Sequence, residues 1–144
     1  MSNAINAIFN QSELEHFCKR YNVQNIDDLK VNTDGYHKHI VFFKDYVFLF
    51  PRNPKYEASL KKELSIYKEF TNSMPIALPH LIESVKDENI SYYNYGVVSK
   101  LSGVAFSSVI DNLSYDQLIQ FWNNLIDIMV KWHRINSSKF ILVP

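Results

Sequence analysis

The sequence predicts an α+β domain in which an antiparallel sheet of about five strands packs on one main helix, with a short helix before it and a long one after it. Three observations predict this. β-Prone runs occur in adjacent pairs divided by short polar turns, the stretch between the two pairs has helical spacing behind an Asn-Pro start, and both flanks carry capped apolar stripes. With 47% hydrophobic and 15% aromatic residues among 144, the chain has enough apolar surface to offset its ordering entropy as one ordinary domain.

The short helix is expected over residues 12–21, where Ser12 stands as N-cap before a stripe of Leu14, Phe17, Cys18 and Tyr21. The opening residues, Met1 to Asn10, lack the charged-then-apolar pattern of a secretory signal, and Ser2-Asn3-Ala4 could be an added tag, so they enter no fold expectation. A short strand is expected over Ile26 to Val31, ended by Gly35. Residues 40–50 form two β-prone runs divided by Lys44-Asp45, which reads as a hairpin.

Pro51 closes the second of these strands. Asn53-Pro54 then supplies an N-cap and a favoured first residue for the main helix, expected over about 54–71. Its sheet-facing stripe is Tyr56, Leu60, Glu63, Tyr67 and Phe70, which places a carboxylate among apolar neighbours, where it needs a partner. The proline-fixed connection Met74 to Pro79 leads to a second hairpin, Leu81 to Val85 and Ile90 to Leu101, around the polar turn 86–89. Ser114-Tyr115-Asp116-Gln117 has the spacing of a capping box and opens the long helix, whose expected buried stripe is Leu118, Phe121, Leu125, Ile128, Met129 and Trp132. Phe140 to Val143 reads as an apolar end that stops mid-fold.

Composition narrows the function classes. Fifteen basic residues balance fifteen acidic ones, so no bulk charge draws nucleic acid or an anionic membrane. No apolar run approaches the roughly 20 residues that span a bilayer, and the single cysteine, Cys18, closes no intramolecular disulfide, which together suit a cytoplasmic protein. His37 and His39 alternate on one strand but lack a third ligand by sequence, which argues against a metal centre. Tyr92, Tyr93 and Tyr95 lack the basic interleaving of a base-stacking platform and read as sheet or core residues.

Several short stretches, taken in order, carry a resemblance. These are Gly35-Tyr36, then Phe48-Leu49-Phe50-Pro51-Arg52, Glu63 on the helix, Pro75 to Pro79, Tyr95-Gly96, Leu101-Ser102-Gly103 and Trp132-His133. Over about residues 25–136 the chain resembles the amino-terminal lobe of aminoglycoside phosphotransferases, which have a protein-kinase-like fold. The resemblance divides the chain into a leader with a short helix (1–24), a nucleotide-binding lobe (25–103) and an interlobe segment with the first helix of a truncated carboxy-terminal lobe (104–144).

The resemblance also implies a site for ATP or GTP. The first hairpin would cover the phosphates, and the segment around Val98 to Leu101 would meet the purine, through the Ser99 carbonyl and the Leu101 amide. Glu63 would hold the cation that grips the phosphates. The family puts that cation two residues before the proline, where this chain has Leu49, so Lys38 near the turn and Arg52 just past Pro51 stand as the candidate cations.

The catalytic Asp loop and the metal-binding residues belong to the family's carboxy-terminal lobe, so no catalytic or metal residue is expected here, and magnesium would be held only with that lobe supplied. The expectation is a truncated or split small-molecule phosphotransferase that binds nucleotide weakly without turnover. The alternatives are a non-catalytic interaction scaffold or a gene remnant. A partner lobe or a second copy would dock on the last helix through Phe121, Leu125 and Trp132.

Overall fold

In the computed structural model, which describes residues 4–134, helix α1 spans Gln11–Tyr21. Its N-cap is Asn10, not Ser12: Asn10 Oδ1 accepts from the Glu13 amide at 2.9 Å while Glu13 returns a carboxylate to the Asn10 amide at 2.7 Å. Glu13 can close this reciprocal box only three residues after the cap, and that requirement selects Asn10. The helix ends on Asn22 in the left-handed region, φ 53°, a conformation that asparagine tolerates.

Residues 26–31, expected as a strand, divide instead. Ile26–Asp28 is a 3-10 turn capped by Asn25, and strand β1 covers Lys30–Asn32. Consecutive aspartates that favour local turns explain the split. Strands β2 (Lys38–Phe43) and β3 (Tyr46–Pro51) form the expected hairpin, with Lys44 at φ 53° in the turn. Helix α2, Pro54–Phe70, starts where Asn53 accepts from the Tyr56 amide at 3.1 Å.

Strand β4 is Leu81–Val85, and β5 is Tyr95–Ser99. The second hairpin is therefore looser than its sequence reads, because Ile90 leaves the strand path to fill the core at 1% exposure and Tyr92 and Tyr93 lie in the connection. The five strands run antiparallel in the order β1-β2-β3-β5-β4.

Alternation along these strands gives the sheet two apolar faces. On one face Val41, Phe43, Phe48, Phe50, Tyr95 and Val97 pack with α1. Phe17 is fully buried there, its ring 4.9 Å from Phe48 and 5.1 Å from Phe9. Ile5 and Phe9 are also buried, at 2% and 3% exposure, so the opening residues belong to this core. On the other face Leu49 and Val98 pack against Leu60 and Leu64 of α2.

The chain forms two compact units. One takes the residues up to Thr71 and those from Pro79 to Lys100, and the other takes Asn72–Leu78 with the residues from Leu101 onward. In the second unit, helix α3 spans Tyr115–His133 behind a full capping box between Ser114 and Gln117. Phe121 stacks on Phe106 at 4.1 Å between ring centres.

The stripe expected to be buried on α3 is not. Among the described residues of this helix none is fully buried; Leu118, Phe121, Leu125 and Ile128 are half-buried, and Met129 and Trp132 are 51% and 46% exposed. Helical spacing sets which residues share a face, but burial also needs an opposing surface. Phe106 in the short turns before the helix supplies only a small one. The apolar run Phe140 to Val143 lies outside the described residues.

Candidate functional site

Glu63 lies one turn from Leu60 and beside Leu64 on the stripe of α2 that meets the sheet. Gly96 sets how closely that helix approaches, because a Cβ built on it would stand 2.7 Å from Leu64 Cδ2. Lys38, the first residue of β2, pairs in register with Pro51, and Ile40 pairs with Leu49. Lys38, Ile40 and Leu49 thus share the face toward α2. From there the Lys38 ammonium reaches both oxygens of Glu63, Oε1 at 2.6 Å. The side chains are 24% and 30% exposed, so the pair sits at a boundary, neither fully dry nor freely solvated.

A third group completes the cluster. Tyr67, one turn along the helix, donates its hydroxyl to Glu63 Oε1 at 2.7 Å. Burial first, then the hydrogen bond to Glu63 and its negative charge, raise the Tyr67 pKa, so the phenol stays protonated and remains a donor. Sequence reading placed Tyr67 on the stripe but missed this role, which its i, i+4 spacing from Glu63 could have signalled.

Leu49 occupies the strand position where the family resemblance implies a cation. It is 4% exposed among Leu60, Leu64 and Val98, so it is a core residue. Arg52 goes elsewhere: its guanidinium donates to the Thr33 carbonyl, and its amide donates to His37 O at 3.1 Å, stitching the loop between β1 and β2 to the end of β3. Its charge adds to burial in lowering the His39 pKa. His39 lies on the α1 face, so strand alternation separates Arg52 from Glu63.

Of the residues expected at the purine, Val98 is 2% exposed and packs under α2. The end of β5 is clamped. Ser99 donates its amide to His80 O at 2.9 Å, its hydroxyl accepts from the His80 amide at 2.8 Å, and the Lys100 amide donates to Asp45 O at 2.8 Å. Leu101, 43% exposed, begins the second unit. The structure therefore brings Lys38, Glu63 and Val98 onto one sheet face, with Ser99 ending the same strand as Val98, and leaves Arg52 apart.

A groove of about 430 Å³ lies elsewhere on α2, lined by Pro54, Glu57, Lys61, Leu64, Ser84 and Asn94 among others. Glu57 accepts there from the Asn94 amide at 2.8 Å. Neither Lys38 nor Glu63 lines it. Among the described residues no cluster of three or more His, Cys, Asp or Glu is arranged to hold a metal, and no helix is long and apolar enough to cross a membrane.

A five-stranded antiparallel sheet in the order β1-β2-β3-β5-β4, with α2 packed on one face and α1 on the other, is the fold of a kinase-like amino-terminal lobe. The sequence matches no family profile and no curated protein. Solved structures do match. The chain is similar to the GDP complex of wild-type aminoglycoside 2'-phosphotransferase-IIIa, with 15% identity and a TM-score of 0.66, over 84% of this chain and 42% of that one.

It is also similar to ADP-bound aminoglycoside phosphotransferase APH(2'')-Ib, with 16% identity and a TM-score of 0.54, over 75% of this chain and 34% of that one. A ternary complex of APH(2'')-IIa with streptomycin and ATP gives 15% and 0.53 over the same shares. The fold is that of the amino-terminal lobe of aminoglycoside phosphotransferases, and the chain spans 42% of their length or less in these matches.

Proposed function

We propose that this chain is the purine-nucleotide-binding lobe of a small-molecule phosphotransferase-like protein and that these 144 residues alone bind nucleotide without transferring phosphate. The observation that carries the reading is the pairing of Glu63 on α2 with Lys38 on the sheet, in a fold whose solved relatives hold GDP, ADP or ATP. An acid that fixes a half-buried lysine on the sheet face toward α2 presents a positioned cation for phosphate. The backbone of Ser99 and Leu101 is the proposed contact for the purine edge, which would admit ATP or GTP. Neither Leu49 nor Arg52 serves as the cation in this reading, and magnesium enters only where a second lobe supplies its ligands.

Thermal melting with and without millimolar ATP or GTP tests the proposal. A ligand at about tenfold its dissociation constant stabilises the folded chain by about 1.4 kcal/mol, which moves the midpoint by a few degrees. An unmoved midpoint with both nucleotides would exclude nucleotide binding by this chain.

A second reading, an interaction scaffold, is favoured by a separate observation. Helix α3 carries a broad apolar face opposite a polar stripe of Gln120, Asn123, Asp127 and Lys131, and on that apolar face Trp122, Ile126, Met129 and Trp132 are each 46–57% exposed. A partner lobe or a second copy docking across the apolar face, from Phe121, Leu125 and Trp132 round to Trp122 and Ile126, would bury that surface. Sedimentation across a concentration series, repeated with Ile126→Glu, separates the cases: association that the charge abolishes supports docking on this helix.

A further inference from the structure

On the α2 side of the sheet, the strand β4 stands beside a groove that neither Lys38 nor Glu63 enters. β4 ends the strand order, so its outward main-chain groups face no further strand, and Ile82, Glu83 and Ser84 are exposed along it. A register shift between Leu81 and Glu83 blunts the first part of this edge, whereas Ser84 and Val85 pair in step with Gly96 and Tyr95.

The second part is held firmly from the opposite face. Arg20 of α1 donates to Glu83 at 2.7 Å and to Asp87 at 3.3 Å, and Val85 between them is buried in the core on that side. Alternation then turns Ser84 and Lys86 toward α2. There they line the groove of about 430 Å³ together with Glu57 and Lys61 of the helix, over the buried Leu60 and Leu64. A fixed sheet edge with a helix-walled groove beside it suits an extended peptide: the main chain continues the ladder and alternate side chains enter the groove.

The charges select the side chains. Glu57, the acid of the groove, already accepts from the Asn94 amide at 2.8 Å. Lys86 donates to the Tyr92 carbonyl at 2.7 Å, and its pairing with Glu88 at 3.6 Å, on a side chain 78% exposed, is screened by solvent. Lys61 makes no ion pair among the described residues. An ammonium has three donors, so both lysines keep donors for carboxylates, and a basic strand would meet repulsion.

We infer that the β4 edge and its groove dock an extended acidic segment of a partner protein, added to the sheet as a further strand with its carboxylates on Lys61 and Lys86.

Amide NMR titration of the full chain tests this with a six-residue acetylated and amidated peptide of alternating valine and glutamate, taken to millimolar concentration beside its valine-lysine counterpart. The glutamate peptide is expected to shift the Ser84, Val85 and Lys86 amides and to bind at least about tenfold more tightly than the lysine peptide. Lys61→Glu with Lys86→Glu reverses that preference. Should the double change disturb the turn after β4, Lys61→Glu alone, on the helix, still lowers it. N-methylation of one alternate set of peptide amides abolishes binding and methylation of the other set does not, because only one set faces β4.

Equal binding of the two peptides, binding of neither, or shifts confined to other residues overturns the inference. So does indifference to both N-methylated sets, which removes the added strand. Glutarate or inorganic phosphate producing the same shifts would make the groove a small-anion site instead. The same shifts growing with protein concentration alone would assign the edge to a second copy.

Discussion

Gly96→Ala is the substitution that most directly tests how α2 sits on the sheet. Gly96 is not in a left-handed conformation, so alanine meets no backbone obstacle, and by the unfolded-state argument alone it should stabilise by about 0.4–1 kcal/mol. Contact decides otherwise. The new Cβ would stand 2.7 Å from Leu64 Cδ2, 2.9 Å from Cδ1 and 3.2 Å from Cγ. Ordinary carbon contacts are about 3.5–4.0 Å, so the overlap is close to an ångström.

Both methyls and the branch carbon are crowded at once, and Leu64 is itself buried at 5% exposure, so no single rotation clears the space. Overpacking of this kind costs about 1–3 kcal/mol, which outweighs the entropy gain. The expected result is a loss of about 1–2 kcal/mol, read as a drop in the urea midpoint on the order of 1 M. In a Leu64→Ala background, itself about 2–5 kcal/mol less stable, Gly96→Ala should change sign and stabilise, since it then fills space. A neutral or stabilising Gly96→Ala in the wild-type background would show that α2 does not approach the sheet this closely, and the placement of Glu63 would fall with it.

Three further outcomes are expected. Phe17→Ala, at a residue fully buried against Phe9, Phe48 and Phe50, should cost about 3–5 kcal/mol in denaturant titration, whereas an N-terminal segment independent of the sheet would leave the midpoint in place. Burial, with the Glu63 contact at Tyr67 and the Tyr21 hydroxyl at Tyr95, raises both tyrosine pKa values. Their contribution to stability is therefore complete below about pH 10, the unfolded value, and is lost as pH rises above it; the pH slope of the melting midpoint beyond pH 10 should flatten in Tyr67→Phe and Tyr95→Phe. His39 runs the other way, since burial and the Arg52 charge lower its pKa: its contribution is present above about pH 6.5 and lost as pH falls through the folded value, so His39→Gln should flatten the midpoint's acid slope below pH 6.5.

Where local chemistry alone decides, the sequence reads well. Asn53-Pro54 fixes the start of α2 and Lys44-Asp45 the first hairpin turn, because cap and turn geometry depend on a few adjacent residues. The misplaced features depended on distant partners. Ile5 and Phe9 gave no periodic signal, being few and irregularly spaced, yet the α1 face of the sheet takes them in. Ile90 reads as strand by propensity but leaves the ladder to fill the core, a tertiary demand overriding a local preference. On α3 the spacing was right and the burial was not, since a helix stripe records which side chains align and not what lies opposite them.

The site divides along the same line. That Glu63 needs a cation follows from its place on an apolar stripe, a one-dimensional argument. Which cation answers does not, because Lys38 and Arg52 are similar in type and both flank the hairpin in sequence. Strand alternation separates them: Lys38 falls on the face of Ile40 and Leu49, whereas Arg52 is held toward Thr33 and His39. Register decides it, since sliding β2 by one residue against β3 would turn Lys38 to the α1 side and leave Glu63 facing His37 or His39. The hairpin turn at Lys44-Asp45 sets that register, and so a two-residue turn far from the cluster determines which charge holds the acid.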